Sequence, residues 1–347
     1  MFHILQRKRV NKMISMKDVA DKANVSRATV SRVLAGHPSV KPETRKIVLH
    51  WVKKLNYQPN IVAQTLAGNK TNIIGVVLPE IANPFFTEIL AAIENQASYQ
   101  GYNIILCCTN KNKDKEKSIL NQLKSRKIDG IICVPVSSTH SCPYYKQLDI
   151  PVITITKKMQ GFSSVSISHY DGGKKIAQHF LDLGYQKIGY IGPTKTSTSA
   201  IKFAGFSDYL NKRGLELSDI IENEAPETIE NITVYDAVIE YISKNGLNSD
   251  ALFANDDATA CDAIKALCKL GYRIPEDVAV AGFDNSLISK KMNPSISSLS
   301  QPLTEIGKKA VDLLIEAMDY DNSKIEEYEL DTRVISREST ITTRKIK

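Results

Sequence analysis

Six cysteines in 347 residues form no CxxC pair and take no metal-ligand spacing with the six scattered histidines. That excludes a disulfide framework and the common zinc sites. Cys107 and Cys108 sit inside an apolar run, and Cys261 and Cys268 lie seven apart on a predicted helix, so reduced, mostly buried thiols are expected. No run approaches the roughly 18 apolar residues of a membrane span. The opening "MFHILQRKRVNKM" is basic without a continuous apolar stretch, which excludes a secretory signal and points to the cytoplasm. Also missing are GxGxxG, GxxxxGK[ST], GxSxG and HExxH, so dinucleotide, nucleoside triphosphate, serine-hydrolase and metalloprotease chemistries lack their motifs. No metal and no cofactor is expected. Asp256-Asp257 is an acidic pair at a predicted helix start, where carboxylates suit the helix dipole better than acid/base work.

Charge is unevenly spread. Through Lys70 there are fourteen Lys and Arg against three Asp and Glu, a net of +11; with +7 overall, residues 71–347 carry −4. A basic end on an acidic body is an electrostatic footprint for nucleic acid.

Within that end, "VSRATVSRVLAG" (25–36) reads as a helix capped by Ser26 and terminated by Gly36. At about 100° per residue, Val30, Val33 and Leu34 form one apolar stripe. The opposite side presents Ala28 and Arg32, edged by Arg27, Thr29 and Ser31. "SMKDVADKANV" before it is a second short helix, with Ser15 as cap and Val19, Ala20 and Ala23 as apolar positions. Two short helices and a tight link make a helix-turn-helix, whose second helix enters the major groove. A third helix from about Pro42 to Leu55 completes a bundle through Ile47, Val48, Trp51, Val52 and Leu55.

"KDVADKANVSRATVSRVLAG" followed by "VKPETRKIVLHWVKKLNYQPN" resembles the DNA-binding headpiece of the LacI/GalR family of bacterial transcription regulators. The resemblance runs from about Met13 to Thr340. Lys41 stands where a capping Ser is common, and Arg27 and Ala28 occupy the positions that vary with operator choice. Family members usually begin near Met13, so residues 1–12 read either as a disordered extension or as a start-site artefact. "NIVAQTLAG" matches the family's hinge helix, which implies minor-groove contact by Asn60, Ala63 and Leu66, with Leu66 the wedge between base steps.

Beyond residue 70, continuous apolar strands such as "IIGVVL", "GIICV" and "VAVAGF" alternate with helices. That pattern means parallel sheets buried on both faces. The fold class is therefore α/β, with an all-α helix-turn-helix headpiece and a core of doubly wound parallel sheets. The resemblance implies that this core is two-lobed and like the periplasmic sugar-binding proteins, with crossings near 169, 290–300 and 322. The expected map is a disordered 1–14, a headpiece over 15–59, a hinge over 60–70 and a core over 71–340. Its N-lobe spans about 71–169 and 300–322, and its C-lobe about 170–299 and 323–340.

Ligands of open α/β sheets bind at strand ends. The resemblance implies a site built from Asn83, Phe85 and Phe86 of "NPFF", Asn255 of "FANDDA", Asp284 of "GFDN" and Gln301 of "SLSQP". Two departures stand out: Thr156-Lys157 replaces a frequent Asp-Arg, and Lys202 of "KFAGF" takes an arginine's place, turning a bidentate fork into a point charge. A lost negative charge beside two lysines tilts the effector from a neutral sugar toward a sugar phosphate or sugar acid. The implied protein is a homodimeric repressor of a pseudo-palindromic operator, without membrane contact, controlled by a carbohydrate-like effector. The alternatives are an effector-independent regulator, an exported sugar-binding protein and an enzyme of the doubly wound class. Whether the effector induces or corepresses stays open.

Overall fold

The computed structural model describes residues 14–34, 36–57, 70–195, 197–222, 233–319 and 324–341. The chain divides into two compact units, Met1–Thr71 and Asn72–Lys347.

Three helices make the first unit: α1 (Met16–Ala23), α2 (Arg27–Leu34) and α3 (Pro42–Lys54). Ser15 and Asp18 form a capping box on α1, each side chain meeting the other's backbone N–H. Ser26 Oγ caps α2 by accepting from Thr29 N at 3.1 Å. At the other end Gly36 turns left-handed (φ +73°), and Arg45 donates to the carbonyls of Val33 and His37 at 3.4 and 2.6 Å. A guanidinium there complements the negative end of the helix. Lys41 precedes α3 without any side-chain cap. Val19, Ala20, Ala23, Val30, Val33 and Val48 fill the core, with Leu34, Trp51, Val52 and Leu55 packed against it. Ile47 was expected in this stripe and is instead 49% exposed. Val48, Trp51, Val52 and Leu55 repeat at i, i+3, i+4 and i+7; Ile47 falls one step of about 100° off that line.

The second unit starts with β1 (Ile73–Leu78), α4 (Pro84–Tyr99), β2 (Asn103–Cys108), α5 (Lys113–Ser125), β3 (Gly130–Cys133), α6 (Cys142–Lys146), β4 (Val152–Ile155) and β5 (Ser163–Ile167). It continues with α7 (His169–Asp182), β6 (Ile188–Ile191), α8 (Ser197–Asn211), β7 (Ile220–Ile221), α9 (Val234–Asn245), β8 (Ala251–Ala254), α10 (Asp257–Lys269), β9 (Ala279–Asp284), α11 (Leu287–Lys291) and β10 (Ser297–Ser300). Last come α12 (Leu303–Asp319), β11 (Glu327–Leu330) and β12 (Arg333–Ile335). One sheet has the order β11-β5-β4-β3-β1-β2, the other β12-β10-β9-β8-β6-β7. All pairings are parallel except β10 with β12.

Burial on both faces explains the apolar strands. Along β1, Ile74, Val76 and Leu78 enter a core that runs through both lobes, while Val77 enters a separate one under α5 and α6. The chain leaves the first sheet after Ile167, returns at Gln301-Pro302 and crosses again at Asp331-Thr332. The first crossing lies where the sequence suggested. The second falls just past the expected 290–300, because β10 still pairs with β9. The third is corrected from 322: after α12 the chain first adds β11 to the edge of β5, pairing Tyr328 with Val165 and Leu330 with Ile167. That strand gives the backbone groups at the edge of β5 partners they would otherwise lack.

Two glycines set how closely helices approach. A Cβ on Gly205 of α8 would lie 1.9 Å from the Tyr170 carbonyl oxygen of α7. One on Gly307 of α12 would lie 2.7 Å from Ala92 Cβ of α4. Gly205→Ala should therefore force α7 and α8 apart and cost about 3 kcal/mol, as overpacked seams do. Urea unfolding measures it; an unchanged midpoint would show that the seam gives way freely.

Candidate functional site

On α2, Arg27, Ala28, Ser31 and Arg32 are exposed, while Val30 and Val33 are buried. Thr29 is half-buried, and its hydroxyl lies 2.9 Å from Ser26 Oγ, so it serves the cap as well as the edge of the face. The exposed surface carries two guanidiniums and no acid, the chemistry for phosphates and guanine edges. Asn60, Ala63 and Leu66 lie outside the described residues.

In the second unit a cavity of about 750 Å³ opens between the lobes, and all nine residues singled out there from sequence line it. Asn83 caps α4, accepting from Phe85 N at 3.0 Å, so the Phe85-Phe86 edge-to-face pair starts that helix at the cavity wall. Phe85 is buried and Phe86 half-buried. Across from them, β9 ends in Asp284, 6% exposed, which accepts from Gln301 Nε2 at 2.6 Å. Burial pushes the Asp284 carboxyl well above the usual range, with Lys202 pulling against it. Asp284 and Asn285 both hold positive φ, 101° and 56°, a strained way to turn a side chain out of a strand end.

Lys202 and Lys157 do not stand free in solvent. Lys202 is 5% exposed, donates to the Asn255 carbonyl at 3.0 Å and sits 4.0 Å over the Phe283 ring. Lys157 donates to the carbonyls of Pro135 and Val136 at 3.2 and 3.4 Å, and burial lowers its pKa. The cavity lining holds four acids (Glu80, Asp256, Asp262, Asp284) against three lysines (Lys111, Lys157, Lys202), and Lys111 pairs with Glu80 at 2.9 Å. Among the described residues no cluster of uncommitted cations faces the cavity, which argues against the expected tilt toward an anionic effector.

Thr156 has the left-handed φ of 63°, and Lys157 N donates to the Ile155 carbonyl at 2.7 Å, a tight three-residue turn rare for a β-branched residue. Its carbonyl accepts from His169 Nε2 at 3.1 Å. That bond fixes the proton on Nε2 and leaves Nδ1 a buried acceptor without a partner among the described residues, as is Gln301 Oε1. Sequence reasoning missed His169 because a lone histidine at a helix start carries no motif; it also missed Asp262, which enters from α10.

The lacI family of bacterial regulatory proteins matches residues 15–60, and the periplasmic binding protein-like domain matches residues 177–340. The ribose operon repressor of Halalkalibacterium halodurans is 33% identical over 332 residues, 94% of this chain and 97% of that protein. Catabolite control protein A of Priestia megaterium is 34% identical over 94% of this chain and 99% of its own. This chain belongs to the lacI family. Among solved structures, the lac repressor dimer bound to operator and the anti-inducer ONPF superposes with a TM-score of 0.85 at 25% identity, covering 95% of this chain and 100% of that one. As a lacI-family member the chain is a DNA-binding transcription regulator with an effector-binding core. No helix among the described residues is long and apolar enough to cross a membrane.

In the lacI-family core, Asp257 holds the strand ends beneath the cavity. It is 1% exposed and accepts from Ser286 N and Oγ at 2.7 and 2.9 Å and from Ser298 Oγ at 2.6 Å. Burial raises its pKa to about 7. His169 moves the other way: burial, then Lys202, push it down to about 3. An unfolded His takes up its proton near 6.5, so the unfolded state binds more protons below that pH and stability falls. By pH 5 the loss is about 2 kcal/mol. Between pH 7 and pH 5 the wild type should lose that much more urea stability than His169→Gln. Equal losses would show that His169 is not sealed from solvent.

Proposed function

We propose that the chain is a cytoplasmic, non-enzymatic repressor that binds a pseudo-palindromic operator as a homodimer and is controlled by an uncharged monosaccharide. The headpiece (15–59) reads bases through Arg27, Ala28, Thr29, Ser31 and Arg32. The hinge (60–70) adds Asn60, Ala63 and Leu66 in the minor groove. The effector sits between the lobes of the core, where Phe85 or Phe86 covers its apolar face and Asn255, Asp284 and Gln301 meet its hydroxyls, beside Asn83, Thr156, Lys157 and Lys202.

The observation that carries the reading is Asp284. A buried carboxyl group at a strand end, fixed by Gln301, suits two vicinal hydroxyls. The four acids against three committed lysines support the same choice. The name of the ribose operon repressor supports a pentose among monosaccharides. Likeness to an operator-bound repressor supports reading this lobe arrangement as the DNA-binding one.

Thermal denaturation with a panel of sugars tests the effector. A true ligand at a hundred times its Kd adds about 2.7 kcal/mol to the core. D-ribose or another neutral monosaccharide should raise the melting point, and ribose 5-phosphate should not. Asp284→Asn should weaken the sugar by about tenfold, the worth of one buried hydrogen bond. A shift from the phosphate alone overturns the neutral reading. No shift from any sugar favours an effector-independent regulator.

Selection from randomised DNA tests the headpiece. Arg32→Ala should cost about 1–3 kcal/mol and relax preference at one position of each half-site. An unchanged preference would leave Arg32 a phosphate contact.

A further inference from the structure

Glu88 lies one helical turn beyond Phe85 on α4, on the N-lobe. Its carboxylate accepts from Leu287 N at 2.6 Å, in the C-lobe and 199 residues away in the chain. Leu287 is the first residue of α11, and Ser286 before it makes no side-chain cap. The N–H that opens α11 is thus met by a carboxylate from the opposite lobe.

Both ends of this bond are anchored. On the C-lobe side, Ser286 is bound twice by Asp257, Asn285 donates to Ser298 Oγ and Ser300 Oγ at 2.9 and 3.0 Å, and Asn285 Oδ1 accepts from Arg337. On the N-lobe side, α4 buries Ile89 and Ile93 in the shared core. A change of angle between the lobes therefore acts on this bond, with only the Glu88 side chain free to follow it.

The bond also closes a loop that begins and ends at the effector cavity. From Phe85 it runs along α4 to Glu88, across to Leu287, and back through Ser286 and Asn285 to Asp284. Behind it lies a groove of about 390 Å³ whose walls come from both lobes: Glu88, Thr304 and Glu305 on one side, Asn285 and Lys290 on the other. Gln301 lines both this groove and the effector cavity.

We propose that the Glu88–Leu287 hydrogen bond is the latch that holds the two lobes in the DNA-binding arrangement, and that the effector acts by changing the strain on it. The proposal rests on the effector reading above for its second half only. Glu88 is a positioning residue: it lies outside the lining of the effector cavity and acts through the angle between the lobes.

The bond can be cut from either end in the full-length protein. Glu88→Ala removes the acceptor. Leu287→Pro removes the donor; proline suits a first helical position, Ser286 already has the extended ψ of 169° that precedes proline, and the Leu287 side chain is 47% exposed. Operator affinity is measured without sugar and with D-ribose, and affinity for random DNA serves as the control for folding. Without sugar, each variant should weaken operator binding about tenfold and leave random-DNA binding unchanged. The double variant should be no weaker than either single one, because both cut the same bond. Glu88→Gln, whose amide oxygen still accepts, should stay within about twofold of wild type. With D-ribose, the ratio of operator affinities with and without sugar should shrink toward one in the latch variants. Sugar-free binding within twofold of wild type in both single variants overturns the latch, and so do additive losses in the double. Should the wild type ignore D-ribose and every other neutral monosaccharide of the panel while the sugar-free losses appear, the effector reading fails and the latch stands.

Discussion

A hydrogen bond of 2.6 Å joins the buried carboxylate at the end of β9 to the side chain that begins the second crossing. Asp284 ends a strand buried on both faces, and Gln301 is the point where the chain leaves that sheet for the other lobe. Because one member belongs to a lobe and the other to the connection between lobes, any ligand that engages Asp284 also acts on a hinge. The strained backbone at 284 and 285 is held by a second buried carboxylate, Asp257, which ties the loop after β9 to the neighbouring β10. Two acids with raised pKa values therefore sit in series beneath the cavity. Burial makes their charged forms costly, and dense hydrogen bonding is what keeps them in place.

The opposite wall is held differently. Lys157 bonds to carbonyls of the Pro135-Val136 segment, whose Val136 N–H is in turn accepted by the buried Glu116 at 3.1 Å. Glu116 also accepts from Ser141 and Tyr145. The lysine is a structural tie on the loop after β3, and its charge is already spread over peptide oxygens. This is why Lys157, although it lines the cavity, is a committed cation there and not a free one. Lys202 follows the same logic through Asn255 and Phe283.

Much was legible because periodicity and caps are local. The headpiece helices and the long apolar strands follow from patterns a few residues wide, whereas the nine cavity residues came from the family resemblance. What escaped was polar or short. β10 reads "SSLS" and gives no apolar signal, yet Ser297 and Ser298 are fully buried and bonded to Thr340 and Asp257. β11 is "EYEL", an alternating edge strand too brief to separate from a loop, and missing it misplaced the third crossing. His169 became meaningful only through Thr156, thirteen residues earlier, whose carbonyl orients it. Contacts between lobes are distant in sequence, so nothing local announces them.

The interleaving of the lobes also limits how such a core can be recombined. The N-lobe is completed by α12 and β11, which arrive after the whole C-lobe strand set except β12. Any single junction between two homologous cores that falls from residue 168 to 302 therefore mates α4 of one parent with α12 of the other. At that seam Gly307 faces Ala92 with no room for a methyl group, and Gln96 Nε2 donates to Asp312 at 2.6 Å. A chimera made by one crossover inherits its effector cavity walls from both parents and has its first steric conflict far from that cavity. Exchange of a whole lobe needs three junctions, at 168, 301–302 and 331–332, and leaves the α4–α12 seam of one parent intact.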